Sequence, residues 1–190
     1  MRTIIIGASG LIGNHLFSLA QEEGRDVIGT YSTQPKESLL HFDMRTESLG
    51  SIIPELGKDD VLYLLSAYSN PTWIYQNQGI SRELNLIATK RVIDYTLDAG
   101  ARLIFMSSVE VFDGKSGNYH EKSIPAPLNL YGHMKFEIEQ YIEQKKGRSC
   151  IVRTGWNVGW NVIHRCVITL TYETLMKSNA KMATDNTFSI

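Results

Sequence analysis

Tyr131 and Lys135 stand four residues apart in Tyr131-Gly132-His133-Met134-Lys135. On a helix this spacing puts both side chains on one face, about a turn from each other. A phenol with its ordinary pKa of about 10 is a poor acid or base at neutral pH. An ammonium beside it favours the phenolate and brings the phenol toward a useful proton-transfer range. The pair is therefore expected to move protons, with Lys135 lowering the pKa of Tyr131. At the other end of the chain, Gly7-Ala8-Ser9-Gly10-Leu11-Ile12-Gly13 follows an apolar run and opens an amphipathic one. Gly7 permits a tight turn, Gly10 lets the backbone approach a pyrophosphate, and Gly13 allows a helix to pack closely on a strand. A helix beginning here offers free N–H groups and the positive end of its dipole to phosphates. Gly7, Ser9, Gly10, Leu11, Ile12 and Gly13 are thus the candidate dinucleotide-binding residues.

Two such groups can serve one reaction only if the fold brings them together. Apolar runs alternate with helical periodicity along the chain, which predicts an α/β fold, a doubly wound parallel sheet of about six strands with helices on both faces. Strands are expected at Thr3–Ile6, Asp26–Tyr31, Leu39–Phe42, Val61–Leu65, Leu103–Met106 and Cys150–Val152. Helices are expected at Leu11–Glu23, at Ser81–Asp98 with Leu84, Ile87, Val92 and Ile93 inward, and at Tyr131–Lys146, with a helical stretch over Cys166–Lys177.

The 190 residues are 43% hydrophobic and 21% charged with a net charge of -1, enough for one sizeable core. Near-neutral charge argues against nucleic acid or an anionic membrane as partner. No apolar run approaches the ~20 residues of a membrane span. The amino terminus runs straight into the glycine turn without a signal-peptide layout, and a cytoplasmic protein is expected. Cys150 and Cys166 lack disulfide or metal spacing and are expected as small buried apolar residues. His133 and His164 have no partners at metal spacing, so no metal is expected.

The glycine spacing, with other segments in order, resembles the extended short-chain dehydrogenase/reductases of the NAD-dependent epimerase/dehydratase family. Ser66-Ala67-Tyr68 is similar to the segment flanking the cofactor ribose, Asp43 to the residue contacting adenine, and Asn85 to a structural Asn that kinks a helix and holds a water. Ser107-Ser108-Val109-Glu110-Val111-Phe112-Asp113-Gly114 followed by Tyr131-Gly132-x-x-Lys135 resembles the catalytic segment. The resemblance covers about residues 3–160. It implies Tyr131 as general acid or base, Lys135 as its modulator and a ribose ligand, and Ser108 as a hydrogen-bond partner of the same substrate oxygen. Asn85 would support a water-linked path to Lys135. Ser107 is read as strand-end packing.

Within the family, the segment 107–114 is similar to S-T-D-Y-V-F-D-G of the dTDP-4-dehydrorhamnose reductases, with Ser for Thr at 108 and departures at Val109 and Glu110. Dehydratases resemble S-T-D-E-V-Y-G; Glu110 matches their proton-abstracting Glu, but Val109 replaces their general acid. Glu110 is thus either a substrate-side carboxylate or a solvated loop charge. Trp156 and Trp160 either line a sugar or base pocket or anchor a loop. The second-strand tip, Thr30-Tyr31-Ser32-Thr33, lacks the acid that would hold the ribose 2′-hydroxyl of NAD, and Lys36 follows. Tyr31, Ser32 and Lys36 therefore lean the cofactor toward NADP(H) over NAD(H). The resemblance implies a sugar-nucleotide substrate and a homodimer through helices 81–98 and 131–146. It also implies a dinucleotide-binding domain over 1–160 and, over 161–190, the start of a substrate lobe that the family normally continues. Such a chain would hold a complete cofactor half and an incomplete substrate half, either as an oxidoreductase or epimerase or as a non-catalytic cofactor-binding subunit.

Overall fold

The computed structural model describes residues 1–159 and 166–177. Six strands form one parallel sheet: β1 (Thr3–Ile6), β2 (Val27–Tyr31), β3 (Leu40–His41), β4 (Val61–Leu64), β5 (Arg102–Ser108) and β6 (Ser149–Thr154). Their order across the sheet is β3-β2-β1-β4-β5-β6, each pair parallel. The order reverses between β1 and β4, and at such a switch point a crevice opens beyond the carboxyl ends of the strands. The helices are α1 (Leu11–Glu22), α2 (Leu49–Ile52), α3 (Pro71–Gln76), α4 (Gln78–Arg82), α5 (Thr89–Asp98), α6 (Leu130–Gln144) and α7 (Val167–Lys177).

The expected α/β architecture is the observed one. Every residue of β1 is buried, as a central strand covered on both faces requires. Ile4 and Ile6 join the larger core with Leu62, Leu64, Leu103 and Phe105 of the neighbouring strands and Val92, Ile93, Met134 and Ile138 of α5 and α6. Ile5 faces the other way, with Ala8, Phe17 and Leu39. Burying a side chain of this size contributes roughly 1.5–3 kcal/mol, so the central strands anchor the fold. At the amino edge, Arg2 closes on Asp60 at 2.7 Å and holds its carboxyl down to about 2.

Several elements differ from expectation. The helix expected over 81–98 is interrupted: between α4 and α5, Glu83–Ala88 forms a π-helical turn. A π-turn inserts one residue into the helical ladder and re-aims the side chains beside it. Strand β5 runs two residues further than expected, to Ser108, and a short 3-10 turn, Val109–Val111, follows it. Cys150 is exposed on the edge strand β6, against the expectation of burial, while Cys166 is buried. Among the described residues, no helix is long and apolar enough to cross a membrane.

Candidate functional site

The glycine turn sits where β1 delivers it, at the switch point. Gly7 adopts a φ of +92°, a conformation costly for any side chain. A Cβ on Gly13 would collide with the Gly7 carbonyl and lie 2.8 Å from Ala8 Cα, so the absent side chain is what lets α1 close onto the turn. Gly10 differs. It is the N-cap of α1, and a Cβ there would find its nearest neighbour, Gly7 O, at 3.4 Å. The corner is therefore closed underneath at Gly13 and open on top at Gly10. Ser9, Leu11 and Ile12 are partly exposed around it, and the α1 N-cap has no side-chain acceptor for its free N–H groups.

The same sheet edge carries the other half. Ser66, Ala67 and Tyr68 follow β4, and a Cβ on Gly7 would stand 3.0 Å from Ser66 N. Asn85, in the π-turn, accepts from Tyr68 N at 3.0 Å and donates to Tyr68 O at 2.9 Å. Both ends of its amide thus fix this segment, and Tyr68 packs on Trp73 at 4.5 Å. Asn85 acts here as a backbone clamp.

Ser108 ends β5 and is buried; its Oγ accepts from Glu110 N at 3.2 Å and keeps its own proton to give. Asn129 caps α6 by accepting from Gly132 N at 2.8 Å, which starts the helix one residue before Tyr131. The amide of Asn129 also donates to the Glu110 carboxylate. A Cβ on Gly132 would collide with Glu110 O, so α6 begins pressed against the turn that follows Ser108. That approach brings Ser108, Glu110 and Tyr131 into one neighbourhood.

The electrostatics run against the first expectation. Burial, and secondarily the charge of Glu110, push Tyr131 up to about 12, so the phenol stays protonated. Lys135 does share its face, 5.7 Å from the Tyr131 ring centroid. Its ammonium, however, donates to Met106 O at 2.7 Å and lies over the Phe105 ring at 4.6 Å. Complete burial pulls Lys135 down to about 8. At neutral pH the pair is thus a protonated phenol beside a lysine that still carries most of its charge.

The remaining sequence-predicted residues lie around this core. Tyr31 meets His41 edge-on at 5.4 Å at the tips of β2 and β3, and Ser32 follows, partly exposed. Lys36 bonds Asn14 Oδ1 on α1, so its charge is folded toward the first helix. Asp43 is held by Arg45 at 2.7 Å and ionises more readily than an ordinary carboxyl because of that bond. Trp156 is exposed beyond β6. Trp160 and His164 lie outside the described residues.

Residues 1–186 match the family described as the RmlD substrate-binding domain. The chain belongs to that family. It is one of the extended short-chain dehydrogenase/reductases, whose members are similar to it in both sequence and fold. The dTDP-4-dehydrorhamnose reductase of Mycobacterium tuberculosis is 29% identical over 160 residues, 82% of this chain and 50% of that protein. Methionine adenosyltransferase 2 subunit beta of Xenopus laevis is 29% identical over 152 residues, 80% of this chain and 46% of that protein. A hypothetical dTDP-4-dehydrorhamnose reductase from Sulfolobus tokodaii superposes with a TM-score of 0.73 at 28% identity, covering 84% of this chain and 58% of that one. In fold alone, the Bacillus anthracis reductase solved with NADP gives a TM-score of 0.77 at 24% identity, covering 93% and 60%. This RmlD-family chain spans about half the length of the relatives it matches.

Three contributors escaped the sequence reading. Asn129 could have been found as a helix N-cap, since Asn before a helical run satisfies free N–H groups. Gly132 carried no signal beyond its type. Glu139, buried on α6 and paired with Arg153 at 2.6 Å, is a charge on an apolar helical face, which periodicity could have singled out.

Proposed function

We propose that this chain binds a nicotinamide dinucleotide along the sheet edge, from Gly7–Gly13 past Ser66–Tyr68 to Lys135, and acts on a keto group of a sugar nucleotide. The observation that carries this reading is the convergence of the glycine corner and the Ser108–Tyr131–Lys135 group on the carboxyl edge of one parallel sheet. The residues fit such a cofactor: the corner is open at Gly10 and has free N–H donors for a pyrophosphate, and Lys135 offers an ammonium to a ribose. When bound, the nicotinamide supplies a hydride donor or acceptor. Ser108 orients the substrate oxygen by donating its hydroxyl proton, and Tyr131, held protonated, gives a proton to that oxygen. The net reaction on this reading is reduction of the keto group or epimerisation beside it. NADP(H) is preferred over NAD(H), because the tip of β2 offers Ser32 and Lys36 and no acid.

Residues 1–160 form the cofactor half in this reading, and 161–190 begin the substrate half; Glu110 and Trp156, both within 1–160, would face the sugar. A homodimer through the faces of 81–98 and 131–146 would use the half-exposed Ile87 beside the Lys90–Glu137 pair; sedimentation giving only monomer at micromolar concentration contradicts it. Calorimetric titration with NADPH and NADH tests the main reading, with saturable binding expected and no heat contradicting it.

A second reading has its own observation: the similarity to a subunit of methionine adenosyltransferase 2. A cofactor-binding, non-catalytic subunit would bind NADPH without turnover. NADPH-dependent reduction of a 4-keto sugar nucleotide that Tyr131→Phe abolishes excludes that reading.

A further inference from the structure

We propose that Glu139 is a positioning residue for the Ser108–Tyr131–Lys135 group: through Ser107 and Arg153, its buried carboxylate locks α6 to the ends of β5 and β6. The proposal rests on the proton-transfer reading above and assigns a role in it to groups outside the reacting set.

Glu139 follows Lys135 by four residues and Tyr131 by eight, so the three share one face of α6. Its side chain is fully buried. One carboxylate oxygen accepts from Ser107 Oγ and from Arg153 Nε at 3.0 Å; the other accepts from Arg153 Nη2 at 2.6 Å and from Nε at 3.2 Å. Ser107 and Arg153 are cross-strand partners. A single carboxylate therefore joins a helix to two strands at one level of the sheet.

That level borders the site. Met106 takes the Lys135 ammonium on its carbonyl, Ser107 binds Glu139, and Ser108 is the candidate substrate-oxygen ligand. Three successive residues of β5 thus hold the three parts in register. Arg153 also lies 5.1 Å over the Phe112 ring, which stacks on Tyr119 at 4.3 Å; Tyr119 in turn donates to Asp113 at 2.6 Å. The lock accordingly extends to the loop after Ser108.

Adhesion alone does not explain this arrangement. Apolar side chains of the same volume would hold α6 as well without taking two charges out of water. A forked, charge-assisted contact adds direction, which fixes rotation and register where apolar packing permits sliding. It also sets the field at Lys135. From α6, Tyr131 and Glu139 face that ammonium; from β5, the Phe105 ring and the Met106 carbonyl do; Arg153 of β6 lies beyond Glu139. Burial pulls Lys135 down, and the charge of Glu139 works against that fall.

The test uses the full 190-residue chain. Ser107→Ala, Glu139→Leu and Arg153→Met together replace the network with apolar groups, and Glu139→Gln removes the charge alone. The reading is the titration midpoint of the Lys135 ε-methylene by NMR, alongside thermal melting and NADPH affinity. The triple variant is expected to melt near the unsubstituted chain, to titrate Lys135 at lower pH, and to bind NADPH roughly tenfold more weakly. An unchanged Lys135 midpoint in a folded triple variant overturns the proposal. If the triple variant does not fold, Glu139→Gln decides: a lower midpoint supports the role and an unchanged one refutes it. Failure of the unsubstituted chain to bind NADPH or NADH contradicts the proposed function, while the Lys135 titration still reads the role of Glu139.

Discussion

The two halves of the site are built on opposite principles. At the glycine corner, function comes from what is missing: no side chain at Gly13 lets the helix close, and none at Gly10 leaves the top open. Around Tyr131 and Lys135, the site is made of what is buried: a phenol, an ammonium and a carboxylate, the last paired with a partly buried guanidinium. A steric device depends on local spacing and tolerates little change underneath. An electrostatic device depends on partners far along the chain, and its settings can be retuned without unfolding it.

The sharpest way to separate the halves is Tyr131→Phe. It removes the proposed proton donor while leaving the corner intact, so on the proposed function turnover of a 4-keto sugar nucleotide with NADPH should fall about 10²–10⁴-fold, with NADPH affinity nearly unchanged. Equal loss of both, read by steady-state kinetics and calorimetry, would merge the two halves into one. Next in size are the glycines. Gly132→Ala drives a methyl into Glu110 O and should destabilise the chain by about 1–3 kcal/mol in urea denaturation. Gly10→Ala should cost less than about 0.5 kcal/mol in the same measurement yet weaken NADPH binding, because its methyl makes only ordinary contact with Gly7 O and stands on the exposed side where a ligand would lie.

The pH dependence of stability isolates the buried half. Folded Lys135 loses its proton at about 8, against an ordinary 10.5. Between those values the unfolded chain binds the extra proton, so stability should rise with pH across that window. Tyr131 acts oppositely: raised from 10.0 to about 12, it lets the folded chain hold the extra proton, and stability should fall across that range. Denaturation followed from pH 7 to 10 should show the rise, and Lys135→Met should flatten it. The smallest effect expected is at Lys36, an exposed side chain. Lys36→Ala should weaken NADPH roughly threefold and leave NADH unchanged, as suits a solvent-screened charge.

What could be read from the sequence divides along the same line. Strands β1 and β4, the glycine turn and the helical pairing of Tyr131 with Lys135 follow from local periodicity and spacing, and all appear as expected. The family resemblance has Asn85 kinking its helix, and a π-turn is found there; that both ends of its amide clamp Tyr68 was not legible, because that contact joins residues 17 apart. The state of Tyr131 was misjudged for a similar reason. Spacing puts Lys135 near the phenol, but burial and Glu110 decide the pKa, and the lysine turns to Met106 O. Nothing in the local sequence records that Ser107, Glu139 and Arg153, drawn from β5, α6 and β6, meet at one point.

On the proposed function, one dinucleotide spans both halves of the site. An NMR titration of the isotope-labelled chain with NADPH tests it directly. Signals from the Gly10 amide and the Lys135 side chain should both shift and saturate at the same ligand concentration. Shifts confined to the glycine corner, or saturation of the two signals at different concentrations, would contradict it.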